Sequence, residues 1–162
     1  LLGVTVLATV LLFIFERTNK STELKINEIA YSFKNESDWI EIYNPSDKEV
    51  SLKGYYLTDR KKNFTKFRIE ENVVLSPKDF VVIYCEKYSN PDTSLIVTNF
   101  NISVGETIYL IGKNGRTIID TLTVVPRRDD IKEFSIARFP DGSNEIYTTT
   151  DYTPGEANSI SD

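Results

Sequence analysis

Histidine and methionine are both absent from this chain of 162 residues, and cysteine and tryptophan occur once each, as Cys85 and Trp39. Without histidine there is no Ser-His-Asp or Cys-His catalysis and no histidine-bearing zinc site. Nor is there a side chain that ordinarily exchanges a proton near neutral pH. Most hydrolase chemistries are thereby excluded, leaving paired carboxylates and oxygen-only metal binding formally open. A lone cysteine forms no intramolecular disulfide. Cys85 ends the apolar run Phe80, Val81, Val82, Ile83, Tyr84. It reads as a small core side chain rather than an activated thiol, since no basic residue adjoins it. Also missing is any stretch between Leu24 and Asp162 that sustains an apolar period of 3.6, so helix is expected only as single turns. No internal repeat or low-complexity linker follows Glu23. Positive charge is in deficit, with a net charge of -5, which disfavours a general nucleic-acid binder and leaves only a local basic patch for such a partner.

One long hydrophobic run is present. Residues 1 to 15 are apolar except for Gly3, Thr5 and Thr9, and the run stops at Glu16, Arg17, Thr18, Asn19, Lys20. It falls short of the roughly 20 residues that span a bilayer. With no methionine at its start, we expect further residues upstream of Leu1. The segment 1–17 is then a truncated transmembrane helix or signal anchor, 18–23 a tether, 24–158 the folded domain and 159–162 a frayed tail. A cleaved signal peptide is the closest rival, but no small-x-small pattern lies between Phe15 and Glu23. These features predict a single-pass protein of the cell membrane, its domain on the outer side.

The folded part reads as strands and turns. In Asp38, Trp39, Ile40, Glu41, Ile42, Tyr43, Asn44, Pro45, an alternating strand runs into a proline turn. Ile40 and Ile42 are expected on one face, and Trp39, Glu41 and Tyr43 on the other. The first strand, Leu24 to Tyr31, shifts its apolar frame between Ile26 and Ile29, which calls for a bulge near Asn27 and Glu28. Val50, Leu52, Tyr55 and Leu57 mark a third strand, interrupted by Gly54. Val73 to Leu75 and Phe80 to Cys85 flank a Ser76-Pro77-Lys78-Asp79 turn, and the second run, apolar throughout, reads as a central strand. Ile108 to Ile111 and Thr117 to Val124 flank Lys113-Asn114-Gly115-Arg116, a strong hairpin signal.

Taken in order, these passages resemble the lamin-tail domain family in its prokaryotic branch. The resemblance is carried by Asn27 and Glu28; Asp38, Trp39, Glu41, Asn44 and Pro45; Gly54 and Asp59; Gly105; Arg138, Pro140, Asp141 and Gly142; and the closing Thr153, Pro154, Gly155 with Asn158. It covers roughly Leu24 to Asn158. It implies an all-β, immunoglobulin-like β-sandwich, and, since the family's domains are often joined to others such as nucleases and spore-coat proteins, an accessory role without catalysis or cofactor. Fold follows from such a resemblance far better than function does.

Several residues stand out as candidate sites. Arg60, Lys61, Lys62, Phe64, Lys66 and Arg68 belong to a basic, aromatic-bearing run that would grip an anionic polymer. The blander alternative is a solvated hairpin tip with Phe67 and Ile69 turned inward. Asp38, Glu41, Asp59, Asp120, Asp129, Asp130 and Asp141 would suit calcium only if they converged, and their spacing matches no calcium loop. Asp141 is expected to bond nearby turn amides. Glu28 and Glu41, inside apolar strands, are expected to be buried and bonded to backbone or to Arg138, with no acid-base role. Trp39, Tyr55 and Tyr56 would form a glycan platform if exposed, though an aromatic half-core is commoner. The reading favoured is a membrane-anchored, extracytoplasmic, non-enzymatic module that tethers a surface protein or an anionic polymer. A glycan-binding module is the first alternative, and an accessory domain of a hydrolase the second.

Overall fold

Antiparallel pairing dominates the computed structural model, which describes residues 23–31, 37–85, 94–126 and 134–159. The strands are β1 (Lys25–Tyr31), β2 (Trp39–Tyr43), β3 (Val50–Ser51), β4 (Tyr56–Thr58), β5 (Phe67–Arg68), β6 (Val74–Leu75), β7 (Phe80–Tyr84), β8 (Thr107–Ile111), β9 (Ile118–Thr123), β10 (Phe134–Arg138) and β11 (Ile146–Thr149). They form a five-stranded sheet in the order β11-β10-β1-β2-β7, a four-stranded sheet in the order β5-β4-β8-β9 and a β3-β6 pair. Among the described residues there is no helix, and so none long and apolar enough to cross a membrane. The hydrophobic segment 1–17, most of the tether and the last three residues lie outside the described residues.

Two sheets form because each carries a β-branched or leucine stripe with a period of two. Ile26, Ile29, Ile40, Ile42, Ile83 and Ile136 from the five-stranded sheet meet Leu57, Ile108, Leu110 and Leu122 from the other, and all are almost wholly buried in one core. Each such side chain contributes about 1.5–3 kcal/mol of transfer free energy. Ile26 and Ile29 are three residues apart, so an unbroken strand would turn them to opposite faces. A register shift between Ile26 and Glu28 resolves this, with Asn27 as the extra residue, as the sequence predicts. The Asn114-Gly115 turn closes the β8–β9 hairpin, its Asn114 Oδ1 accepting the Arg116 and Thr117 amides at 3.0 Å each.

Two expectations need correction. The strand expected from Val50 to Leu57 is two strands in different sheets. At Gly54, where φ is +90°, the chain leaves the β3-β6 pair and enters the four-stranded sheet as β4. The apolar β7 is not central: it ends its sheet, with Phe80, Val81, Val82 and Tyr84 half-buried. Its outer side is covered by an irregular segment in which Ile96 O accepts the Tyr84 amide and Tyr84 O accepts the Thr98 amide. Trp39, Glu41 and Tyr43, opposite Ile40 and Ile42 on β2 as the alternation predicts, are buried as well, so both faces of this strand are covered. Something covers that second face, and it is polar.

Candidate functional site

The cover on β1 and β2 is the closing turn around Thr153, Gly155 and Asn158. Glu28 and Glu41 are cross-strand partners, both fully buried, and neither is bonded to Arg138. Glu28 accepts hydrogen bonds from the Ser135 hydroxyl and from the Thr153 amide and hydroxyl. Glu41 accepts from Asn27 Nδ2 at 3.0 Å and from the Gly155 amide at 2.8 Å. Burial raises the pKa of both, pushing Glu41 up to about 8 even though its Asn27 and Gly155 bonds pull the other way.

Asn27, carried by the bulge, links the two ends of the chain. It donates to Glu41 and, at 2.9 Å, to Asp141, while its Oδ1 accepts the Gly142 amide. Asp141 does not bond its own turn as expected: its Oδ1 also accepts the Asn158 amide at 3.0 Å. Asn158 donates through Nδ2 to Arg138 O at 2.8 Å and accepts the Thr153 hydroxyl. Gly142 has to be glycine, because φ is +71° and a Cβ would lie 3.0 Å from the Tyr43 ring. Pro140, preceding it, follows a cis peptide bond, and Pro154 of the closing turn is exposed.

Arg138 points the other way, between the sheets, where it is 4% exposed. Its guanidinium donates to Ile26 O, Ser143 O, Thr121 O and the Asp120 carboxylate. Asp120 in turn accepts the Ile26 amide, so one ion pair joins β9 to both β1 and β10. The sequence signal for this pair was a single acid, Asp120, inside the β9 run of apolar and threonine residues.

The remaining family positions hold turns. Asn44 is buried and donates through Nδ2 to the carbonyls of Lys48, Leu75 and Ser76, binding the exit of β2 to the β6–β7 turn; Pro45 O accepts the Lys78 ammonium. Asp38 O accepts the Cys85 amide, and Gly105 N–H donates to Val124 O. Cys85 is fully buried, and burial pushes its thiol up to about 12, so it is an inert core side chain. Among the described residues no three acids gather in a metal-binding group; Asp129 and Asp130 lie outside those residues.

The basic run sorts its cations. Lys66 is bound by Asp59, its Nζ 2.6 and 2.8 Å from the two carboxylate oxygens and 4.8 Å from the Phe100 ring centre, so both residues are structural. Arg68 lies exposed over Tyr56 at 6.0 Å and pairs with Glu70. Arg60, Lys61 and Lys62 are exposed in the β4–β5 loop and form no ion pair among the described residues. Phe67 is half-buried and Ile69 wholly buried, as the hairpin-tip reading requires. Phe64 rests against Tyr109, ring centres 6.1 Å apart. Sequence reasoning missed Tyr109, although the alternation Thr107, Ile108, Tyr109, Leu110 marks it as outward-facing. Trp39, at 4% exposure, takes no part in an aromatic platform, whereas Tyr55 and Tyr56 are half-buried.

No curated protein matches the chain. A family model described as Lamin Tail Domain matches residues 17–126, a span that includes β1 to β9. With that match added to the bulge at Asn27, the β2 exit at Asn44 and the paired sheets, the chain belongs to the lamin tail domain family.

Proposed function

We propose that this is a non-enzymatic, immunoglobulin-like binding module, held at the cell membrane by its N-terminal hydrophobic segment and tethering an anionic polymer on the outer side. The observation that carries the reading is the separation of charge roles. The buried acids, Glu28 and Glu41, are each bonded to internal donors under the closing turn, so they offer no open cleft for acid-base chemistry. Arg60, Lys61 and Lys62, by contrast, project from one loop of an otherwise acidic protein. Capture of the full-length protein in detergent on immobilised polyanions tests this. Replacing Arg60, Lys61 and Lys62 by glutamine should abolish capture at low salt, and unchanged capture would remove the loop from the proposal.

A second reading, tethering of a surface protein, is favoured by β11. Ile146 and Tyr147 are exposed on β11, the edge strand of the five-stranded sheet, which holds no lysine or proline to blunt it, and the exposed Phe139 beyond the end of β10 lies beside Tyr147, ring centres 6.4 Å apart. Cross-linking of intact membranes with a probe placed at Thr148 tests that reading, and an absence of strand-dependent adducts counts against it.

A further inference from the structure

We infer that the outer face of the four-stranded sheet binds an acidic polysaccharide, with sugar rings against Phe64 and Tyr109 and sugar carboxylates on the surrounding cations. The inference rests on the tethering reading above and names the ligand of that surface. Leu57, Leu110 and Leu122 point into the core, so by the alternation of a strand Tyr56, Tyr109, Thr121 and Thr123 point out. Tyr109 is half-buried on an outward face, and Phe64 folds over from the β4–β5 loop to lie beside it at an interplanar angle of 41°. Two adjoining half-buried rings on a sheet face form an apolar step, suited to the C–H face of a sugar ring.

The surroundings fit a charged polyol. Thr121 lies directly across from Tyr109, and Thr107 and Thr123 are paired one row further along, their hydroxyls 2.9 Å apart. A hydroxyl donates and accepts at once, as sugar hydroxyls demand. Arg68 is the register partner of Tyr56 and shares its face. Its exposed pairing with Glu70 is of the kind that contributes little and exchanges readily with an incoming carboxylate. Arg60, Lys61 and Lys62 come from the same loop as Phe64, which sets cations and ring side by side in the chain. Single-stranded DNA fits less well: it has no free sugar hydroxyls along its length to meet the threonine rows.

The test is titration of the full-length protein in detergent with polygalacturonate, its neutral methyl ester, polyphosphate and a single-stranded DNA oligomer. Polygalacturonate should bind most tightly and the ester far more weakly. Phe64→Ala, a loop change, and Tyr109→Ala should each weaken polygalacturonate binding about tenfold while leaving polyphosphate binding unchanged. Thermal melts confirm that each variant is folded, and Phe64→Ala serves alone if Tyr109→Ala is not. If polygalacturonate binds but neither ring change weakens it, the surface is a plain charge patch and the inference falls while the tethering reading survives. Tighter binding of DNA or polyphosphate likewise overturns it. If none of the polymers binds, both readings fall together.

Discussion

Glu41, in the second strand, accepts the backbone amide of Gly155 at 2.8 Å, and that single bond spans 114 residues of sequence. It places a carboxylate with a strongly raised pKa beneath the last turn of the domain, beside a second raised carboxylate, Glu28.

Stability should therefore fall as pH rises. Glu41 has a folded pKa of about 8 against an ordinary 4.5, so between those values the folded state holds a proton that the unfolded chain releases. The contribution is intact below pH 4.5, is lost progressively toward pH 8 and is constant above that. The slope is at most about 1.4 kcal/mol per pH unit for one proton, and Glu28 adds to it with the same sign. Thermal melts from pH 5 to 9 should show Tm falling across this window. Glu41→Gln should flatten the dependence while lowering Tm at acid pH, since an amide group must then face either Asn27 or Gly155 as a second donor. A profile equally steep in the variant refutes the assignment.

Asn158→Ala should cost about 1–3 kcal/mol, because it leaves Arg138 O and the Thr153 hydroxyl short of a buried partner. Urea unfolding measures it. An unchanged midpoint would mean that the closing turn seals nothing.

Arg138→Met should be the most damaging single change considered, at about 3–5 kcal/mol, since it removes the buried donor to Ile26 O, Ser143 O and Thr121 O and leaves Asp120 only Lys25 at 3.5 Å and the Ile26 amide. Adding Asp120→Asn should restore part of the loss in a double-mutant cycle. Strictly additive losses would show that the two residues act independently.

Gly142→Ala forces a Cβ toward the Tyr43 ring at a φ of +71°, and about 1–3 kcal/mol of destabilisation is expected by calorimetry. By contrast, Cys85 should be silent toward a thiol reagent in the native protein and react only once urea has unfolded it, because the thiol is buried and its pKa is raised.

Much of this architecture can be read from the chain wherever the deciding contacts are local. The spacing of Ile26 and Ile29 requires the bulge, and Asn114-Gly115 requires the hairpin. What the sequence does not carry is partner choice at a distance. The run from Val50 to Leu57 alternates well enough for one strand, and only pairing with β6 on one side of Gly54 and β8 on the other divides it. The β7 run reads as central because apolarity reports burial, not position in a sheet, and here an irregular segment gives partial cover. In the candidate site the basic run is plain in the sequence. Its division into a bound Lys66 and an open Arg60–Lys62 depends on where Asp59 points, and Tyr109 joins the run only through folding.

The bond between Glu41 and Gly155 also means that the cover of β1 and β2 is synthesised long after the strands that it covers. More than a hundred residues separate Glu41 from the turn that covers it, and in a chain without that turn both glutamates would face water with the ordinary charge of a carboxylate at neutral pH. Without that turn the two carboxylates lack the burial that raises them, and Glu41 takes up its proton as the turn docks. Docking of the closing turn is therefore coupled to proton uptake at Glu41.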